Sequence, residues 1–162
     1  MKVLSGSLVF VIAGVSLVLC WLLFALFFHN PTSQVLFILG NVTAGAGVLL
    51  IVLAMSTLRR RGGLRDNKDF TATTIVVKQG VFSIVRHPLY LGWLLAYPGA
   101  MLVSQHWLIV VIGVVGIVSM FQITRIADTE LVAKFGSEYE AYMKEVPRLN
   151  ILLGIGRRLK EN

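Results

Sequence analysis

Between Lys2 and Arg59 the chain has no Asp, Glu, Lys or Arg, and a second stretch from His87 to Thr124 also has none. A soluble domain needs charged side chains across its surface, so two runs of this length exclude an ordinary soluble fold. Acids are scarce throughout, with Asp and Glu numbering 8 against 15 Lys and Arg, a formal net charge of +7. Cysteine occurs once, at Cys20, which excludes an internal disulfide and offers no metal-ligand spacing, so no metal is expected. Internal repeats and low-complexity segments are also missing. The basic excess lies beside the apolar runs without interleaved aromatics, which points to anionic lipid headgroups as partners and not to nucleic acid.

What fills these gaps is apolar. With 56% of residues hydrophobic and a mean hydropathy of +0.79, the composition is that of an integral membrane protein. One crossing of the hydrocarbon layer takes roughly 20 helical residues, so each uncharged run is long enough for two. The first divides at the polar turn His29-Asn30-Pro31-Thr32-Ser33-Gln34 and predicts helices near 4–28 and 34–55. The second divides at Ser104-Gln105-His106-Trp107 and predicts helices near 88–103 and 107–124. A cleaved signal peptide is not expected, because the first apolar stretch is too long and no small-x-small site follows it. Leu19 before Cys20 argues against a lipoprotein cysteine.

The expectation is one all-α membrane domain over residues 1–162, with four transmembrane helices, a linker at 56–87 and a tail at 125–162. The linker carries Arg59, Arg60, Arg61, Arg65, Lys68, Lys78 and Arg86 against Asp66 and Asp69, while the two short turns carry no formal charge. The positive-inside rule then puts linker, tail and both termini in the cytoplasm. Without a targeting peptide, a prokaryotic inner membrane is the expected location.

The residues with chemical potential lie in linker and tail. Arg59-Arg60-Arg61 reads as an interface cluster ending the second helix. Thr74-Ile75-Val76-Val77 is a short β-favouring run, and Lys78-Gln79-Gly80-Val81-Phe82 reads as a turn using glycine's freedom. At Arg86-His87-Pro88-Leu89-Tyr90 the proline suits a first helical position, which puts His87 just outside the third helix. Free N–H groups, the helix dipole and Arg86 would there favour a carboxylate or phosphate; a snorkelling Arg with an interfacial His and Tyr is the other reading. Pro98 predicts a kink in the third helix. Gly45 and Gly47, with Ala44 and Ala46, read as close helix packing and not as a nucleotide-binding loop. Leu131, Phe135, Tyr139 and Tyr142 recur at helical spacing, an amphipathic segment with a bend at Gly136. Arg125 and Asp128, three apart, are either a structural ion pair or part of a site.

Two blocks flank the second hydrophobic hairpin: Gly-x-x-x-x-x-Arg-His-Pro-x-Tyr-x-Gly from Gly80 to Gly92, and Phe-Gly-x-Glu-Tyr-x-x-Tyr from Phe135 to Tyr142. Their order resembles the membrane methyltransferases of the isoprenylcysteine carboxyl methyltransferase and phospholipid methyltransferase group, over about residues 67 to 150. The resemblance implies a cytoplasmic pocket for S-adenosylmethionine, formed by the linker and the C-terminal amphipathic helix, and a lipophilic methyl acceptor. It implies cofactor contacts at Thr74, Ile75, Val76, Val77, Phe82, His87, Pro88, Leu89 and Tyr90, with Asp128 or Glu130 as the acidic partner. Arg86 and Arg125 would orient the acceptor, an isoprenylcysteine-type carboxylate or a related group such as a phospholipid amine.

The family's usual Glu-Glu pair is here Ala127-Asp128, Phe82 replaces a frequent tyrosine, and Arg125 sits one residue nearer the acid. Two other resemblances point elsewhere. Membrane sterol reductases share an Arg-His-Pro-x-Tyr-x-Gly element and use a nicotinamide cofactor, but are much larger. Relatives linked to nitrogen-oxide metabolism would make this a non-catalytic membrane protein.

Overall fold

The structure, a computed structural model, describes residues 6–28, 30–63 and 73–161. Arg65, Asp66, Lys68 and Asp69 of the linker, His29 of the first turn and the expected helix start near Leu4 lie outside the described residues. The described residues form six α-helices and one 3-10 turn, with no strand: α1 Gly6–Phe27, α2 Gln34–Arg61, the 3-10 turn Gly80–Ser83, α3 Pro88–Ser104, α4 Trp107–Phe135, α5 Ser137–Glu145 and α6 Ile151–Glu161. Helices α1, α2 and α4 are long and apolar enough to cross a membrane, whereas α3 is a shorter apolar helix. The predicted helices are thus present, but α2 and α4 run further, to Arg61 and Phe135. Nothing in Ser56–Arg61 or Arg125–Phe135 breaks a helix, and it is Gly62-Gly63 and Gly136 that end them. The β-favouring run Thr74–Val77 is irregular, since among the described residues no strand exists to pair with it.

The chain packs as two compact units, one of Met1–Leu49 with Gly92–Ile126 and the other of Leu50–Leu91 with Ala127–Asn162. Helices α2, α3 and α4 each contribute residues to both.

Small residues let helices approach closely in the first unit. A Cβ on Gly47 would lie 2.6 Å from the Gly92 carbonyl, one on Gly40 2.7 Å from the Val103 backbone nitrogen, and one on Gly99 2.9 Å from the Ala44 Cβ. Gly45 differs, with nothing within 4 Å of the same construction, so the packing face runs through Gly40, Ala44 and Gly47. Tyr97, fully buried, donates its hydroxyl proton to the Ala13 carbonyl at 2.7 Å, and Gly116 makes room for its ring. A Cβ on Gly116 would fall 2.1 Å from Tyr97 Cε1. Elsewhere the apolar surface faces outward, with Phe10, Val18 and Phe27 all more than half exposed, as lipid-facing side chains are.

The two uncharged turns are tied together by Gln105. Its Oε1 accepts from the Thr32 hydroxyl at 2.8 Å and the Ser33 N–H at 2.7 Å, and its Nε2 donates to the Ser33 carbonyl at 2.7 Å. Phe28 stacks on His106 at 3.7 Å between ring centroids. The α1–α2 and α3–α4 hairpins therefore turn at the same end of this unit.

Candidate functional site

In the second unit the buried side chains of Arg86, His87 and Tyr139, with the partly exposed Arg148, converge on Asp128. Pro88 opens α3 and pushes His87 out of helical geometry, so Arg86 and His87 form the segment just before the helix. Asp128 lies on α4, 4% exposed, and its carboxylate accepts four hydrogen bonds. Oδ1 takes His87 Nε2 at 2.8 Å and the Tyr139 hydroxyl at 2.9 Å, while Oδ2 takes Arg148 Nε at 2.7 Å and Arg86 Nη2 at 3.2 Å. Burial pushes the Tyr139 phenol's pKa up, and the Asp128 charge pushes it the same way, so this hydroxyl keeps its proton and donates. Against a carboxylate oxygen His87 Nε2 carries a proton and donates.

The backbone locks the same segment. The Arg86 N–H donates to the Pro147 carbonyl at 3.0 Å, the His87 N–H to the Arg148 carbonyl at 3.2 Å, and Arg86 Nη1 to the Met143 carbonyl at 2.9 Å. Those two N–H groups before α3, expected to be free for an anion, are thus held by the tail. One donor is not matched: Arg86 Nε is buried without a hydrogen-bond partner.

Arg86 lines a cleft of 80 Å³ together with Thr73, Val77, Phe82, Tyr139 and Tyr142. A cleft lined by a guanidinium and aromatic rings suits a carboxylate next to a cation or a flat ring. Tyr142 fixes the cleft's wall, its hydroxyl donating to the Phe82 carbonyl at 2.5 Å, and burial raises its pKa too. Below Phe82 the chain turns at Gly80, whose φ of +61° is favourable only for glycine.

The other expected site residues fall in three groups. Val77, Phe82 and Leu89 pack in one apolar cluster with Ala54, Val76 packs against the Tyr139–Tyr142–Val146 cluster, and Ile75 also lines the cleft. Pro88 is buried, and the Tyr90 ring lies 5.5 Å from that of His87. Thr74 is exposed and bonds back to Gly62 and Gly63, while Arg125 and Glu130 are exposed residues of α4. Sequence reasoning missed Arg148 altogether and took Tyr139 only as part of an apolar face. The signal for Tyr139 lies in its motif; Arg148 had none beyond following Pro147.

An all-helical membrane protein with a buried, fully ligated carboxylate beside an aromatic cleft belongs to the class of integral membrane proteins with a polar reaction or binding centre. Residues 35–138 match the family model described as phospholipid methyltransferase, and the chain belongs to that family. Membrane methyl transfer is the activity the family implies. The match takes in Arg86, His87 and Asp128 and stops short of Tyr139 and Arg148. No curated protein and no solved structure matches the chain.

Proposed function

We propose that the protein is an S-adenosylmethionine-dependent methyltransferase acting on a lipophilic acceptor at the cytoplasmic membrane face. The observation that carries this reading is a cleft lined by Phe82, Tyr139, Tyr142 and Arg86, with the Arg86 guanidinium held in place by Asp128. Bound there, S-adenosylmethionine supplies a methyl group on a sulfonium, activated for displacement without metal or covalent intermediate. Arg86 offers the matching donor for a carboxylate, and Phe82, Tyr139 and Tyr142 offer ring faces to a cation or to adenine. Val76, Val77, Leu131 and Phe135 exclude water from the same space.

The donor set suits the cofactor, but the volume admits only its amino-acid end. A whole cofactor needs about 300 Å³ or more, so the cleft would have to widen to hold it. In this reading His87, Pro88, Leu89 and Tyr90 form one wall, Thr74 to Val77 another, and Asp128, with Glu130 further along α4, supplies the acidic side. Arg125 orients the acceptor. A carboxylate acceptor is nucleophilic at neutral pH; a phospholipid amine must lose a proton, and His87 Nδ1 is the base its geometry leaves for that.

The membrane topology belongs to the same proposal. Pro88–Ser104, with 17 residues, is at the lower length limit of a span and serves as the third of four. Hairpins tied by Gln105 turn at one end, which supports placing linker and tail together, and their basic charge puts them on the cytoplasmic side. The test is methyl transfer by purified protein in lipid nanodiscs from labelled S-adenosylmethionine to a prenylcysteine analogue or to phosphatidylethanolamine. Labelled lipid product is expected. No product with either acceptor, from folded protein that binds the cofactor, would reject the acceptor classes named.

A further inference from the structure

Helix α6 carries its apolar residues on the side turned away from the protein. Leu152, Ile155 and Leu159 are 84%, 41% and 72% exposed. At 3.6 residues per turn they share one face with Ile151, within an arc of about 100°. The packed side is the other one. Gly154 sits so close to the Ile84 carbonyl that a Cβ would lie 1.9 Å from its oxygen, and Arg157 Nη1 donates to the Lys144 and Glu145 carbonyls at 3.1 and 2.9 Å. A helix seated by glycine and arginine, with leucine and isoleucine outward, is the reverse of a soluble amphipathic helix.

Charge frames the outward face. On the same helical geometry Arg158 lies about 20° outside the apolar arc on one side and Lys160 about 80° beyond it on the other. Beside α6 opens a cleft of 410 Å³ lined by Lys78, Ser83, Tyr142, Glu145, Arg157 and Arg158. Three cations there face one carboxylate. Lys78 also reaches Glu138 at 3.5 Å, but both side chains are well exposed and such a pair is weak.

We propose that α6 is an in-plane membrane helix that seats on anionic phospholipid. Leu152, Ile155 and Leu159 enter the acyl boundary, and the headgroup phosphate sits over the Lys78, Arg157 and Arg158 cleft. The bilayer is the occupant because the same chain carries three helices long and apolar enough to cross one, which keeps a lipid surface at high effective concentration. Basic flanks match an anionic leaflet. In a symmetric pair of chains meeting on this face, Arg158 and Lys160 would be brought against their own kind.

The test uses full-length protein with Cys20→Ala, spin-labelled at Leu152→Cys or Leu159→Cys, in vesicles of phosphatidylcholine with and without phosphatidylglycerol. Both labels are expected to be accessible to oxygen and shielded from a water-soluble relaxant, more so with phosphatidylglycerol. In otherwise unsubstituted protein, Arg158→Gln and Lys160→Gln should each lower the preference for spin-labelled phosphatidylglycerol over phosphatidylcholine, by about fivefold at low salt. Labels in water in both vesicles, dipolar broadening between two copies, or an unchanged lipid preference in both Arg158→Gln and Lys160→Gln would each overturn the proposal. None of these readouts involves methyl transfer, so this proposal and the proposed activity fail separately.

Discussion

The two units of this protein are held by opposite means. The first has helices brought together through glycine and alanine, with Tyr97 to Ala13 as one long-range hydrogen bond in the core. The second is held by charge, with Arg86, His87, Arg148 and Tyr139 around one carboxylate. In lipid, apolar surface gives no driving force for helix association, so close fit does the holding. Where the chain carries ionisable groups, a buried charge is tolerable only when fully paired, and the pairing then fixes geometry. A fitted unit loses stability by steps when altered, whereas a unit built on one carboxylate depends on that atom group.

Asp128→Asn should show this dependence most strongly. It leaves the Arg86 guanidinium buried without a counter-charge and should cost on the order of 3–5 kcal/mol, read as a large fall in thermal unfolding temperature in detergent. A fall no larger than that of Arg148→Gln would break the comparison. Gly116→Ala tests the fitted unit: its Cβ meets the Tyr97 ring, and the strain should cost about 1–3 kcal/mol. Gly45→Ala, facing open space in a helix, should be neutral or slightly stabilising by the same measurement. Arg148→Gln removes the carboxylate's most exposed partner, its side chain 35% exposed, and should cost only about 1 kcal/mol.

A further effect, confined to high pH, is expected at Tyr139. Its phenol pKa is raised in the folded protein, so the stability it contributes is present below about pH 10 and lost as pH rises beyond that. Tyr139→Phe should therefore flatten the alkaline limb of stability plotted against pH. An unchanged limb would mean another group unfolds the protein.

These contrasts also explain what could be read in the residues alone. The helices of the first unit were legible because uncharged runs and polar turns are local signals, and Gly47 was correctly read as a packing residue. Gly40 was overlooked, since a lone glycine in an apolar run shows no partner until the neighbouring helix is in place. In the second unit the Arg86-His87-Pro88 join marked one side of the buried polar cluster. Its wiring was hidden, because Asp128 meets Tyr139 and Arg148, 11 and 20 positions away, and His87 and Arg86, 41 and 42 positions away, and spacing along the chain carries no record of that. Arg125 and Asp128, three apart on one helix, are a pairing the spacing itself suggests, whereas the bonds of Asp128 to Arg86 and His87 leave no such mark.

The measurement that tests the central claim most directly is calorimetric binding of S-adenosylmethionine and S-adenosylhomocysteine to purified protein in lipid nanodiscs, with His87→Ala and Arg125→Ala alongside. The account predicts binding by the unaltered protein, at least a tenfold loss in His87→Ala, and near-normal binding in Arg125→Ala, whose defect should lie in acceptor turnover. No binding by folded, unaltered protein, or equal binding in folded His87→Ala, would contradict it.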